Sequence, residues 1–503
     1  MNNVIRNTSG TLLGLVLALV TGAPALADDT ELLLVDPNNQ TPKPNIMFII
    51  DSSGSMTTEE ETKEPYDATR TYAGDCDPAM LYWTEVDAVP SCDVSNTRMI
   101  AKTSFVCERA TNQLTGIGLY SDTMIQYRTG GSGFFSIFLG TDEPRWQMLE
   151  PGNATDYVEC KKDRARHSTD DSFGDGGLFP QAGGGVEPYT SDASTEISWR
   201  SWPTNQSLMV YDGNYLNYRN VPEFIMDSRI GIVQTTANII LNSIENVNVG
   251  VMRFNNTRGG PVILEMTDLD MNRTAITDAI NDIVADGWTP VAETEYESAL
   301  YWMGRPAWFG QEIDEHTTAP GALASTDPEV YLQPYLDPCA KNYNVILTDG
   351  APTEDVEAED LVNNLPDWVA TVGQAGCDGT GNGACLDDIA AYLYNKDIAP
   401  DEPGLQYVTT HTIGFSIDLP ILVSTAAAGG GDYFQADDIE SLSLALMRIF
   451  TAINEDSLSF AAPAVAVNSF NRTRNFNDLY LTAFQASERT HWPGNLKKYR
   501  IAD

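Results

Sequence analysis

Residues 45–50 (Asn-Ile-Met-Phe-Ile-Ile) form a nearly continuous apolar run. This is the pattern of a strand buried on both faces of a parallel sheet. Over 225–245 the period becomes helical, with Ile230, Val233, Ala237, Ile240, Leu241 and Ile244 on one face. Val247–Phe254 then alternates like a strand. Arg273–Val284 and Val291–Met303 read as amphipathic helices, and Asn344–Thr348 as a second buried strand. Cys385–Asn395 reads as a helix, Tyr407–Ile417 as a strand and Ile439–Ile453 as a helix. Strands alternating with helices predict an α/β fold with a doubly wound, Rossmann-like sheet.

Two stretches depart from that alternation. After Ser55 the helix that should follow the first strand does not come, and roughly 57–223 is rich in Gly, Tyr, Trp, Ser and Thr and holds four cysteines. A connection that long needs structure of its own, so it reads as a large insertion of short strands stapled by disulfides. After about 456, Ala461–Phe470, Asp478–Gln485 and Asn495–Ile501 read as strands of a β domain. The predicted organisation is a leader at 1–27, a linker at 28–43, an α/β domain at 44–455 with its insertion, and at 456–503 the start of a truncated, propeller-like β domain.

Arg6, the apolar stretch Leu12–Val20 and Ala25-Leu-Ala27 form the three parts of a signal peptide, with the mature chain starting at Asp28. The apolar stretch is too short to span a bilayer, and no later one is long enough. Secretion fits the seven cysteines, Cys76, Cys92, Cys107, Cys160, Cys339, Cys377 and Cys385. The simplest pairing is two disulfides among the first four and one among the last three, with one cysteine left over. The 503-residue chain has a formal net charge of -42, which argues against nucleic acid, because phosphates would be repelled. No G-x-S-x-G elbow, H-E-x-x-H pair or Walker loop occurs, which predicts binding rather than catalysis. His167 and His411 read as structural, and Tyr211, Tyr215 and Tyr218 as core of the insertion.

The chemistry lies where the strands end. Asp51, Ser53 and Ser55 follow the first buried run, Asp349-Gly350 follows the second, and Thr289-Pro290 stands at a helix start. Ligands of a parallel α/β sheet bind beyond the carboxyl ends of its strands. Alone, each motif reads as a helix cap or a turn. Together, in this order, three hydroxyls and two carboxylates suit a hard cation such as Mg²⁺, which wants six oxygens and keeps some waters. Mn²⁺ and Ca²⁺ are alternatives. The low count of direct charges leaves the ion electrophilic, so an acidic group on a partner can complete its shell. Two calcium-like fragments are weaker: Asp268-Leu-Asp270-Met-Asn272 reads as a helix cap, and Asp378-Gly-Thr-Gly-Asn382-Gly383 as a turn closed by Cys377 and Cys385.

The set Asp51, Ser53, Ser55, Thr289 and Asp349 resembles the metal-ion-dependent adhesion site of von Willebrand factor A domains. Tyr211-Asp-Gly-Asn-Tyr-Leu-Asn-Tyr218, Asp478-Leu-Tyr-Leu-Thr-Ala-Phe-Gln485 and His491-Trp-Pro-Gly-Asn-Leu-Lys-Lys-Tyr-Arg-Ile501 are further similar to the N-terminal part of the PilY family of type IV pilus tip and assembly proteins. The resemblance implies passage through the periplasm to the pilus tip at the bacterial surface. It also implies association with minor pilins, adhesion to an acidic group on a surface or host ligand, and a role in pilus biogenesis and twitching motility. Members of that family usually continue into a calcium-binding β-propeller, so a fragment of a longer protein is one expectation. A purely structural pilus-assembly role, with the metal site only stabilising the fold, is the alternative.

Overall fold

The computed structural model describes residues 42–85, 88–93, 97–128, 144–152, 157–163, 178–182, 188–192, 195–197, 207–221, 224–311, 316–334, 340–402 and 404–457, with strands at 464–465, 478–484 and 494–500. The leader, most of the linker, His167 and Cys339 lie outside the described residues.

The elements that build the central domain are, in chain order, β1 (Asn45–Ile50), β2 (Glu59–Thr62), β3 (Ile225–Ser228), α1 (Arg229–Ser243), β4 (Asn248–Arg253), β5 (Val262–Asp268), α2 (Leu269–Asn281), α3 (Val291–Trp302), β6 (Asn342–Thr348), α4 (Leu386–Asn395), β7 (Val408–Phe415), α5 (Pro420–Ala428), β8 (Gly430–Ala436) and α6 (Ile439–Ser457). Six strands form one sheet in the order β5-β4-β1-β6-β7-β8. β5 runs antiparallel to β4, and every other neighbouring pair is parallel.

Side-chain alternation explains the layers. Along β1, Ile46, Phe48 and Ile50 join one apolar cluster, while Met47 and Ile49 join another. The first cluster takes in Ile232, Val233 and Ile240 of α1, Ile276 of α2 and Leu442, Leu446 and Phe450 of α6. The second takes in Ala292 and Ala299 of α3, Leu386, Ile389 and Leu393 of α4 and Leu422 of α5. With helices on both faces, strands such as β1, β6 and β7 are buried throughout, which is why they read as apolar runs.

The structure corrects the sequence reading in four places. The helix predicted from 225 begins at Arg229, because Ile225–Ser228 pairs as a strand with Glu59–Thr62. β5 and β8 were not anticipated: each is an edge strand carrying polar residues and lacking a fully buried run. The helix α5 was not anticipated either. Finally, α3 is not amphipathic, since all twelve of its residues are buried, three glutamates included.

The described residues of 57–223 contribute no strand to the six-stranded sheet. Their longer strands form a four-stranded antiparallel sheet, in the order 99–101, 80–85, 208–212, 119–122, and a three-stranded one, 145–148, 124–128, 157–160. Cys76–Cys92 and Cys107–Cys160 are disulfides here, and Cys377–Cys385 closes the turn expected at 377–385. Tyr211, Tyr215 and Tyr218 are buried and pack with Tyr66 and Tyr72. They form core, as expected. His411 is likewise buried in β7, its Nδ1 accepting the Asp432 N–H at 3.0 Å. Asp268 caps α2 by accepting the Asp270 N–H at 2.9 Å. Toward the C-terminus, 478–484 pairs antiparallel with 494–500 and with 464–465. No helix among the described residues is long and apolar enough to cross a membrane.

Candidate metal-ion site

β1 and β6 are neighbours in register, Ile50 facing Leu347, so Asp51 and Asp349 emerge together at the carboxyl edge of the sheet. The Asp51 N–H donates to the Leu347 carbonyl at 2.9 Å, which extends the pairing by one residue. Beyond it, Gly54–Thr57 forms a single 3-10 turn that brings Ser55 back over the strand end. The loop before α3 closes the third side. The Gly54 N–H donates to the Gly287 carbonyl at 3.0 Å, and the Asp286 N–H to the Ser52 carbonyl at 2.7 Å. Gly287 has φ +81°, and a Cβ there would meet the Asn256 backbone at 2.4 Å. Only glycine makes this approach without strain.

The five residues singled out from sequence meet at this edge. Ser53 Oγ and Ser55 Oγ are 2.8 Å apart, and Ser55 Oγ donates to Asp349 Oδ1 at 2.5 Å. Asp51 lies behind them and is held by three donors: the Ser53 N–H at 2.7 Å, Thr348 Oγ1 at 2.6 Å and the Asp349 N–H at 3.3 Å. Thr289 is anchored by exchange with Thr353, whose Oγ1 accepts the Thr289 N–H at 3.0 Å. A methyl on Gly350 would sit 3.5 Å from both Ser55 Oγ and Thr289 Oγ1, so the two hydroxyls flank one small space. Asp51, Ser53, Thr289 and Asp349 are buried, whereas Ser55 and Trp288 are exposed, so the group opens to solvent on one side.

Electrostatics favour a cation. Burial, and then the neighbouring Asp349 carboxylate, push the Asp51 carboxyl up to about 6. Two buried carboxylates with converging hydroxyls form an oxygen-only donor set of the kind that suits Mg²⁺ or Ca²⁺, and a cation between them would relieve their repulsion. The residues therefore fit the ion that the sequence pattern implies.

Two residues that sequence reasoning missed complete the edge. Arg229, the first residue of α1, donates through Nη1 to Asp349 Oδ2 at 2.8 Å. Through Nε and Nη2 it donates to Glu60 Oε1 at 3.0 and 2.6 Å. The available signal was a cation directly after the N-cap Ser228, at the helix end whose dipole disfavours positive charge.

Buried carboxylates hold the surrounding loops. Asp355 accepts the Ala292 and Glu293 N–H groups at the start of α3, both at 2.9 Å. Glu293 accepts the Gly259 and Glu357 N–H groups. Glu297 accepts the N–H groups of Trp308, Phe309 and Gly310 and the Tyr331 hydroxyl. Away from this edge, carboxylates of Asp378, in the turn closed by Cys377–Cys385, and of Asp387 and Asp388, in the first turn of α4, lie within 4.8 Å of one another.

A family described as a domain of unknown function (DUF8355) matches residues 80–221, the part of the chain that stands outside the central sheet. No curated protein matches. Similar solved structures include a von Willebrand factor type A protein from Catenulispora acidiphila, at 13% identity over 54% of this chain and 61% of that one, with a TM-score of 0.27. The PilB minor pilin from Streptococcus sanguinis is 13% identical over 67% of this chain and 78% of its own, with a TM-score of 0.26. The conserved hypothetical protein BatB from Bacteroides thetaiotaomicron is 10% identical over 45% and 89%, with a TM-score of 0.25.

Proposed function

We propose that this chain is a secreted, type IV pilus-associated adhesin whose central domain is of the von Willebrand factor A type and binds partners through a divalent cation. Asp51, Ser53, Ser55, Thr289 and Asp349 hold the ion, Mg²⁺ in the first instance. The observation that carries this reading is the chain of contacts from Ser53 Oγ through Ser55 Oγ to Asp349 Oδ1, beside Thr289, at the carboxyl edge of a mainly parallel sheet. When bound, the ion supplies an electrophilic position for an acidic group on a pilin, surface or host ligand. The chain's own part is to orient the donors: Thr348 and the Ser53 N–H fix Asp51, the 3-10 turn presents Ser55, and the loop at Gly287 presents Thr289. The protein acts by binding, without catalysis. Three disulfides support an oxidising location outside the cytoplasm. The PilY-like stretches at 211–218 and 478–501 support the link to pili. Cells carrying Asp51→Ala with Ser53→Ala should keep normal pilus numbers and lose surface attachment. Unchanged attachment by those cells overturns the reading.

A second reading rests on the three-stranded antiparallel sheet formed by 464–465, 478–484 and 494–500. Here that β segment contacts minor pilins to prime assembly, and the ion only stabilises the fold. Deleting 456–503 then lowers pilus counts, while the metal-site variants leave them, and attachment, unchanged.

A further inference from the structure

Two strands bracket the segment 57–223: the chain enters it along β2 and returns along β3, and the two pair antiparallel with Glu60 opposite Asp227 and Glu59 opposite Ser228. At the end of this ribbon the Arg229 N–H donates to the Thr58 carbonyl at 2.9 Å. The Arg229 guanidinium thus reaches two carboxylates, Glu60 on the ribbon and Asp349 on the candidate metal site. Its side chain is 16% exposed and that of Asp349 is fully buried, so the pair is poorly screened. Lying at a helix N-terminus, the cation gains nothing from the helix dipole, and its guanidinium is held by the two acids.

We infer that Arg229 is a resident counter-ion that competes with the divalent ion for Asp349, and that Glu60 sets the strength of that competition. The inference rests on the metal-binding reading above. Asp349 offers one oxygen to Ser55 and the other to Arg229, so an ion held by the Ser55–Asp349 pair shares its carboxylate with a guanidinium. Like charges on one buried carboxylate oppose each other. Glu60 offsets the guanidinium charge. Without it the full positive charge would face the ion. Because Glu60 belongs to the ribbon that leads into 57–223, a shift of that segment that moves β2 would change the affinity of the metal site without touching a ligand.

The test is a cycle of Arg229→Gln, Glu60→Gln and the double variant in mature 28–503, titrated with MgCl₂ and MnCl₂ by calorimetry at constant ionic strength. Asp51→Ala serves as the control without a site. Arg229→Gln is expected to bind roughly tenfold more tightly than wild type, and Glu60→Gln at least about threefold more weakly. The double variant should follow Arg229→Gln, since Glu60 acts only through the guanidinium. Glu60→Gln keeps the Arg229–Asp349 pair and guards against misfolding of the arginine variant. The shift of Tm on adding Mg²⁺ gives a second reading of the same order. Equal or weaker binding by Arg229→Gln, with binding still lost in Asp51→Ala, overturns the competition and leaves the metal site standing. No saturable binding by any folded variant overturns both.

Discussion

Ser55 Oγ donates to Asp349 Oδ1 at 2.5 Å across 294 residues of sequence. One residue sits on a turn after β1 and the other directly after β6. Only the parallel pairing of those two strands brings them together. The site is thus a product of sheet order, and its integrity depends on the loops that hold the strand ends in place.

Gly287 is the most sensitive of these loop positions. Its φ of +81° and the 2.4 Å approach to the Asn256 backbone leave no room for a Cβ. Gly287→Ala should cost about 1–3 kcal/mol in urea unfolding. It should also weaken Mg²⁺ binding, because Thr289 is displaced from Ser55. A variant of unchanged stability and affinity would show that the loop does not position Thr289.

Glu297 is fully buried and satisfies three N–H groups and the Tyr331 hydroxyl. Glu297→Ala leaves all four donors without their acceptor and should cost on the order of 3–5 kcal/mol. Glu297→Gln keeps the shape and part of the acceptor capacity, so it should cost less. Denaturant midpoints of the two variants check the order, and equal midpoints contradict it.

The pH dependence of stability follows from Glu293, Glu295 and Asp355, each pushed up to about 7, in every case chiefly by burial. A carboxyl with a raised folded value holds its proton more tightly folded than unfolded. Its contribution to stability is full below about pH 4 and is lost as pH rises through about 7. Tm in EDTA at constant ionic strength should therefore fall between pH 5 and pH 8, by on the order of 5 °C. The net charge of -42 acts in the same direction, so Glu295→Gln isolates the buried groups. That variant should show a shallower slope, and an unchanged slope would remove Glu295 from the explanation.

The Cys107–Cys160 disulfide joins parts of the segment outside the central sheet. Replacing both cysteines with serine should destabilise that segment by about 2–4 kcal/mol. Affinity at Asp51 and Asp349 should change little unless the loss reaches Glu60 through the β2–β3 ribbon. Protease sensitivity confined to 80–221, beside a metal titration, checks both parts.

Much of this was legible in the sequence for a physical reason. Strands covered on both faces, such as β1 and β6, must be apolar throughout, and they announce the residues that follow them, Asp51 and Asp349. Thr289 was legible through Pro290 at the mouth of α3. β5 and β8 escaped because edge strands carry polar residues on one side. The buried character of α3 escaped because its glutamates read as the polar side of an amphipathic helix, when Glu293 and Glu297 are satisfied by loop N–H groups and Glu295 by Asn344 of β6 and Thr410 of β7. The Arg229–Glu60 pair spans 169 residues and depends on the ribbon, which no local pattern reveals.

The most direct measurement is calorimetric titration of Mg²⁺ and Mn²⁺ into a protein of residues 28–503 beside its Asp51→Ala variant. Saturable binding to the wild-type protein, lost in the variant, is expected, with both proteins folded by near-ultraviolet circular dichroism. A well-folded wild-type protein that binds neither ion would contradict the metal-binding reading, and the oxygen cluster at the sheet edge would then be architecture alone.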